Sequence, residues 1–525
     1  MQKLHSLLSG GLLLLLTVTT LRLQAIHLIP QPSAVKTLPG RFNLSGATVI
    51  IAGNNTTAAT LLQQTLRADH QLSLSVKTAA RHNYIRLTTD AGLLKTIGTE
   101  GYLLQVQPDH IRITAASNTG IFYGIQSLRQ LIMPQEQAYA IDAVEITDKP
   151  RFSWRAFMLD EGRYFKGPAA VKRLLDEMAL LKMNVFHWHL TDDQGWRIEI
   201  KKYPLLTQVG SKRDSTQTGG WNSPTYDGKP HAGYYTQEEI RDIIRYAADR
   251  HITIVPEIEM PGHASAAIAA YPWLGTRHQP ITVPVKFGVQ YDVFNVADPK
   301  VIGFLQDVLQ EVMALFPSKV IHIGGDEVKY DQWKADAGVN AYMQAHQLRT
   351  PADLQIAFTN RISNYLAGKQ RRMAGWNEIM GHKLHEYTDT ADVSAKEKLA
   401  AGTIVQFWKG ELQLITEAVA KGYEVINSYH AMTYLDYSYE EISLEKAFRF
   451  DPVPTGLDPK YQAKILGSGC QMWGEWIPDE KAMQHQVYPR LAAYANSDWA
   501  EPANKDFENF KSALTYFLQR WKTAQ

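Results

Sequence analysis

From Arg155 onward, short apolar runs alternate with longer stretches whose apolar residues recur at helical spacing. Ala156–Leu159, Asn184–His187, Ile252–Val255 and Val320–Ile323 read as buried strands, followed by Arg372–Ala374, Thr403–Phe407, Glu424–Ile426 and Ile465–Gly467. Within Ala169–Leu181, the positions Val171, Leu174, Leu175, Met178 and Leu181 fall on one helical face. Thr236-Gln237-Glu238-Glu239 has the form of a capping box and opens a predicted helix that runs to Arg250. Val301–Phe316, Leu412–Ala420 and Lys481–Ala495 complete the helical set. Parallel strands need crossover connections, and such helices supply them. Strand-then-helix units in this number predict an α/β fold, a (β/α)8 TIM barrel, across residues 151–525. An open doubly wound sheet is the alternative, but no Gly-rich phosphate-binding fingerprint accompanies it.

Residues 26–150 follow a different pattern. Ala47–Ala52, Tyr84–Thr88, Tyr102–Gln107 and His110–Thr114 are β-rich and bounded by Gly, Asn and Asp, while Thr57–Ala68 and Gly120–Leu131 are helix-like. This predicts a small α+β domain, a sheet with helices on one face, ending at the charged turn Asp148-Lys149-Pro150. Residues 1–25 read as a signal peptide: Lys3 and His5 precede the apolar run Leu7–Val18, and Arg22-Leu23-Gln24-Ala25 ends in a small residue. That run is shorter than the ~20 residues of a membrane-spanning helix. No membrane span is expected once the signal is removed.

Composition narrows the class further. A hydrophobic content of 45% and a charged content of 20% describe an ordinary globular protein. The formal net charge of +1 offers no electrostatic basis for binding nucleic acid or an anionic membrane. Cys470 is the only cysteine, so no internal disulfide can form. This favours a bacterial periplasmic or secreted protein over a secreted eukaryotic one. Lying within the apolar run Ile465–Trp473, Cys470 reads as a small buried residue.

The loops after the strands of such a barrel share one face. Asp160 and Arg163 follow the first predicted strand, and His187, His189, Asp192, Asp193 and Trp196 end or follow the second. Glu257, Glu259 and His263 follow the third, Asp326 and Glu327 the fourth. Later ends carry Trp376 with Glu378, then Trp408, Tyr434 with Asp436, and Trp473 with Glu475. Aromatic faces ringed by carboxylates and one Arg suit a monosaccharide, whose ring stacks while its hydroxyls are held by charged groups. The sharpest stretch is His322-Ile323-Gly324-Gly325-Asp326-Glu327-Val328. Glycine there would let a ligand approach the backbone closely. Two adjacent acids disfavour each other's charge, so one can stay protonated while the other ionises. That suits acid–base work on a glycosidic bond. His187-x-His189 opens the alternative of a metal-dependent hydrolase, and a non-catalytic sugar-binding protein is a second alternative.

Several of these segments resemble those of the β-N-acetylhexosaminidases of glycoside hydrolase family 20: Leu159–Arg163, His187–Arg197, Pro256–His263 and His322–Val328. They occur in the same order, and the resemblance extends from about residue 30 to 500. It implies exo-acting, retaining hydrolysis of terminal non-reducing β-linked N-acetylglucosamine or N-acetylgalactosamine. Retaining glycosidases ordinarily place two carboxyls ~5–5.5 Å apart; this family is an exception in which the substrate's own acetamido oxygen attacks, giving an oxazolinium intermediate. The resemblance implies Glu327 as the acid and then the base, and Asp326 as the group that orients the acetamido N–H. Their side chains would diverge if the backbone there is extended. Arg163 and Glu475 are implied to hold ring hydroxyls, Asp436 a further hydroxyl, and Tyr434 the acetamido carbonyl. Trp376, Trp408 and Trp473 are implied to wall the acetamido methyl and the sugar face, with Asp192 and His263 standing behind the acid. The carbohydrate substrate is the implied partner; no cofactor and no metal are implied, and the oligomeric state is left open. Two positions depart from the pattern: Tyr164, where many relatives have His, and Asn377 after Trp376, where Asp is frequent.

Overall fold

The computed structural model describes residues 26–134, 139–382, 384–385 and 395–523, so the predicted signal peptide lies outside the described residues. Eight parallel strands close into a barrel: β1 (Trp154–Asp160), β2 (Val185–His189), β3 (Thr253–Glu257), β4 (Val320–His322), β5 (Arg372–Trp376), β6 (Ile404–Phe407), β7 (Glu424–Asn427) and β8 (Ile465–Met472). Each overlaps one of the runs predicted from apolar pattern, because a strand buried on both faces must read as a continuous apolar run. Side chains alternate in and out along each strand. At the N-terminal end, Ala156, Val185, Val255, Val320, Ala374, Ile404 and Ile426 form one apolar cluster, one residue from each of β1 to β7. Two residues further along come His187, Glu257, His322 and Trp376. The barrel is therefore sealed at one end and polar at the other.

The helices follow from local signals. Thr236 caps Gln237–Ala248 with the predicted capping box, its side chain accepting from Glu239 N–H while Glu239 reaches back to Thr236 N–H at 2.9 Å. Pro168–Leu180 and Pro299–Leu315 each begin with proline, which costs nothing in a first turn. The stretch predicted as one helix over Lys481–Ala495 is two, Glu480–Val487 and Arg490–Trp499, because Pro489 lacks the N–H that would continue the first. The pattern also missed Pro351–Gly368, which has its own capping box between Thr350 and Asp353. Between β5 and β6 the described residues hold a 3-10 turn, Asn377–Met380, and no α-helix.

The N-terminal domain is a mixed sheet with strand order Ala34–Leu44, Tyr139–Asp148, Tyr102–Val106, His110–Ala115, Tyr84–Thr89, Val49–Ile51 and Ser75–Val76. Three of these strands, Ala34–Leu44, Tyr139–Asp148 and the two-residue Ser75–Val76, were not predicted; the first two pair antiparallel. Helix Asn118–Leu131 is buried over most of its surface because it packs between this sheet and the barrel helix Pro168–Leu180. The C-terminal helix Phe507–Thr523 clasps both domains. Trp521 Nε1 and Arg520 Nε bond Glu177 of the barrel at 2.8 and 2.7 Å, and Arg520 also reaches Asp69 of the N-terminal domain at 3.6 Å.

The turn at Asp148 is not the solvated one its composition suggests. Asp148 is fully buried and accepts from Tyr102 Oη at 2.6 Å, Trp499 Nε1 at 2.9 Å and Lys182 Nζ at 3.0 Å. Tyr102 belongs to the small domain, Lys182 and Trp499 to the barrel, so one carboxylate ties the two. Removing one member of a buried charge pair strands the other. Asp148→Ala is expected to lower unfolding free energy by about 3–5 kcal/mol, and adding Lys182→Met should recover part of that loss in denaturant titration.

Candidate active site

β4 ends at His322, and the next residues leave the strand through a left-handed path: Gly324 has φ +65°, Gly325 +92° and Glu327 +51°. Such a conformation is uncommon for a non-glycine residue and clusters at functional sites. The glycines make room for the protein itself. A Cβ on Gly324 would lie 1.8 Å from Glu259 Oε2, and one on Gly325 would lie 2.9 Å from Ile379 Cγ2. This corrects the expectation that they admit a ligand. It also corrects the expectation of divergence along an extended backbone. Asp326, Glu327 and His263 turn inward, with ligating atoms within 4.8 Å of one another.

His263 is the group behind the acid. Its own φ is +49°, and Nδ1 lies 3.3 Å from Asp192 Oδ1 and 3.2 Å from Asp193 Oδ2. Nε2 faces Asp326 Oδ2 at 3.6 Å and Glu327 Oε2 at 3.8 Å. Burial alone would pull this imidazole down, but Asp192 and Asp193 outweigh it and hold His263 well above its ordinary value. It is therefore a cation beside Glu327. Burial, with the neighbouring Asp326 acting in the same direction, raises the Glu327 carboxyl despite that cation. A raised carboxyl holds its proton to higher pH, the direction a general acid needs.

A cavity of about 200 Å³ opens at this point. Arg163, Asp192, His263, Asp326, Glu327, Trp408, Tyr434, Asp436, Trp473 and Glu475 line it, joined by Trp221 and Tyr437. Thus all the predicted site residues but Trp376 share one cavity wall. Trp376 lies one layer deeper, its ring 5.8 Å from that of Trp473 and its Nε1 donating to Glu257 at 2.9 Å. The volume is below the ~300–1,000 Å³ of pockets for drug-sized ligands, and suits one small ring. Arg163 contacts Asp192 at 2.8 Å, Asp160 at 3.2 Å and Glu475 at 3.6 Å, and lies over the Trp473 ring. Trp408 and Tyr434 stack at 8°, 6.2 Å apart. Buried Arg490 donates to the carbonyls of Leu435 and Tyr437, which flank Asp436 and hold that loop in place. Burial, then Glu475, pushes Asp436 up to about 8. Asp326 Oδ1 and Asp436 Oδ1 are buried and have no hydrogen-bond partner among the described residues. Such atoms call for an explanation, and a bound hydroxyl or N–H supplies one.

Below the cavity, Glu257 lies 2.6 Å from His189 Nδ1, 2.8 Å from His322 Nδ1 and 3.0 Å from His187 Nε2. Burial would raise this carboxyl, but His322 and His189 hold it well below its ordinary value. The His187-x-His189 pair belongs to this cluster. His187, Glu257 and His322 have spacing that could hold a metal ion, but Glu257 is already surrounded by four nitrogens, those of the three imidazoles and Trp376.

Four side chains in or beside the cavity were given no role from sequence: Trp221, on a loop with no strand-end signal, and Tyr437, which line it, and Glu378 and His385, which follow β5 and stand behind the lining. Glu378 Oε2 accepts from Trp408 Nε1 at 2.9 Å, and His385 Nε2 stands 3.6 Å from Glu327 Oε1. Only the general rule that loops after barrel strands face the site pointed to His385. The departure at Asn377 also acquires a reason. Its Oδ1 accepts from Trp408 N–H at 3.0 Å while its Nδ2 donates to the Lys409 carbonyl at 3.0 Å, a pair of bonds an ionised Asp could not make.

Comparison with known proteins places this geometry. The model of glycosyl hydrolase family 20, catalytic domain, matches residues 152–502, and that of glycosyl hydrolase family 20, domain 2, matches residues 25–149. The chain belongs to glycosyl hydrolase family 20. A beta-hexosaminidase of Porphyromonas gingivalis is 35% identical over 93% of this chain and 62% of its own length, so the chain spans less than two thirds of that relative. A beta-hexosaminidase of Vibrio furnissii is 36% identical over 90% of this chain and 76% of its own. Among solved structures, a beta-N-acetylhexosaminidase from Bacteroides fragilis superposes with TM-score 0.79 at 31% identity, covering 95% of this chain and 96% of its own. A family 20 exo beta-N-acetylglucosaminidase from Vibrio harveyi, in complex with N-acetylglucosamine, gives TM-score 0.80 at 30% identity, covering 94% and 76%.

Gly324→Ala brings a methyl group against Glu259 in a left-handed backbone. Overpacking costs about 1–3 kcal/mol, so a lower midpoint of thermal unfolding is expected, together with lost catalytic activity as Asp326 and Glu327 shift.

Proposed function

We propose that this glycoside hydrolase removes terminal non-reducing β-linked N-acetylglucosamine or N-acetylgalactosamine from oligosaccharides and glycoconjugates, with retention and with the substrate's acetamido group as nucleophile. The observation that carries the reading is the cavity itself. Asp326 and Glu327 face a space for one ring, and Arg163 with Glu475 stands at its edge. Relatives named beta-hexosaminidase, and a neighbouring structure holding N-acetylglucosamine, support it.

The proposed steps give each of these residues a role, as the family's mechanism implies. Glu327 gives its proton to the glycosidic oxygen as the bond from that oxygen to the anomeric carbon breaks. The acetamido carbonyl oxygen bonds to that carbon, and positive charge spreads over the oxazolinium ring. Asp326 Oδ1, buried and unpartnered among the described residues, accepts the acetamido N–H and opposes that charge. Water then gives a proton to the Glu327 carboxylate and bonds to the anomeric carbon, reopening the ring and restoring the acetamide. His263, held cationic by Asp192 and Asp193, stabilises the Glu327 carboxylate between the two steps. Arg163, Glu475 and Asp436 hold ring hydroxyls, Trp408 and Trp473 supply apolar faces, and Tyr434 meets the acetamido carbonyl.

Export is part of the same proposal: the charged start, the apolar run Leu7–Val18 and Ala25 support a cleaved signal and a periplasmic or secreted protein. Among the described residues no helix is long and apolar enough to cross a membrane. A mature N-terminus at Ile26, read by mass spectrometry, is the expected result.

Glu327→Gln should reduce kcat/KM on a β-linked N-acetylglucosaminide by about 10²–10⁴-fold while leaving product affinity near normal; near-normal turnover would refute the assignment. Asp326→Asn should cost about 10²–10³-fold, with β-glucosides lacking the acetamido group untouched by either enzyme. Because Glu327 acts protonated and its carboxyl is raised, kcat/KM is expected to fall as pH rises through that raised value. Activity surviving exhaustive chelation would separate this reading from metal chemistry at His187, Glu257 and His322.

A further inference from the structure

The proposed reaction leaves Glu327 as a carboxylate inside a largely buried site, midway through each turnover. Two imidazoles flank that carboxyl. His263 Nε2 stands 3.8 Å from Oε2. On the other oxygen, His385 Nε2 lies 3.6 Å from Oε1. His385 comes from the loop after β5, and its side chain is only 7% exposed.

The state of His385 follows from its neighbours. Lys409, just after β6, places Nζ 3.3 Å from His385 Nδ1. An ammonium can only donate, so Nδ1 accepts and the ring proton sits on Nε2. That N–H faces two carboxyls, Glu327 at 3.6 Å and Glu378 at 3.4 Å. Lys409 is itself positioned, since Asn377 holds its carbonyl and the N–H of Trp408. Asp326 and Lys329, which flank Glu327 after β4, also act on the ring, in opposite senses. Burial keeps His385 below its ordinary value despite Glu327, so near neutral pH it is an uncharged donor, unlike His263.

We propose that His385 is a positioning residue for Glu327, its Nε2–H stabilising the carboxylate left when Glu327 has protonated the leaving oxygen. The inference rests on the assignment of Glu327 as the acid. No proton passes through His385: it moves from Glu327 to the leaving oxygen, and later from water back to Glu327. Both contacts are longer than formed hydrogen bonds, and unliganded sites commonly hold such contacts loosely until substrate tightens them. The consequence is selective. A sugar leaving group needs its oxygen protonated and depends on how readily Glu327 releases its proton. A leaving group that departs as a stable anion does not.

The test compares kcat/KM against pH for the wild-type enzyme, His385→Ala and His385→Gln, on chitobiose and on 2,4-dinitrophenyl β-N-acetylglucosaminide. His385→Ala should lose about tenfold or more on chitobiose and less than about threefold on the dinitrophenyl substrate. A donor favouring ionised Glu327 is gone in that variant, so the basic limb should move to higher pH. His385→Gln retains an N–H donor and should recover most of the chitobiose rate and the original limb. Equal losses on both substrates with an unmoved basic limb would overturn the proposal. Wild-type enzyme inert on both glycosides would instead refute the hydrolase reading beneath it.

Discussion

An ionised carboxylate cannot stay buried without partners, and Asp192 meets that constraint with the backbone N–H of Asp193 and three side chains. Arg163 contacts it at 2.8 Å, His189 at 2.8 Å and His263 at 3.3 Å. Burial would raise its carboxyl; Arg163 and His263 hold it far below the ordinary range. Each of these side chains leads to a different part of the site. Arg163 reaches the cluster that would bind hydroxyls, and His263 reaches Glu327. His189, kept at about 10 by Glu257 and Asp192 against the pull of burial, leads down to Glu257 and Trp376. The sugar-binding wall, the acid and the floor are thus mutually oriented through one side chain.

Burial acts in the same sense on the other carboxyls, and there the partners do not outweigh it. Glu259, Glu327, Asp436 and Glu475 all lie near the cavity, and burial raises each of them. A site that gathers several acids would repel itself if all were ionised. Here burial favours the neutral form of these acids, Asp436 most plainly at about 8, while Arg163, His263 and His189 favour the charged forms of Asp192 and Glu257. Neutral acids can both donate and accept hydrogen bonds, which suits the paired hydroxyls of a sugar.

The barrel was legible because its signals are local and repeated. Each strand is an apolar run, and each run has a helix or turn after it. Even the break at Pro489 follows from proline chemistry, though the apolar spacing across it suggested one helix. Most site residues could be named because strand ends in this architecture converge, whatever lies between them in sequence. Asp436 and Arg163 are far apart in the chain, yet both line the cavity. What escaped were contacts with no pattern of their own. His385 sits in an ordinary polar stretch, and Asn377 seemed a minor departure until its two bonds to the Trp408–Lys409 backbone were visible.

By itself the sequence determined the succession of strands and helices, the small domain before the barrel, and the placing of Asp326 and Glu327 at a strand end. Those depend on side-chain periodicity and turn chemistry, which act over a few residues. Tertiary structure alone decided what the glycine pair is for, how the two acids turn, and in which direction each buried acid is shifted. Burial and the distance to a partner set those properties. Glu259 under Gly324, Asp148 between the domains and His385 beside Glu327 acquire both only when distant segments pack together.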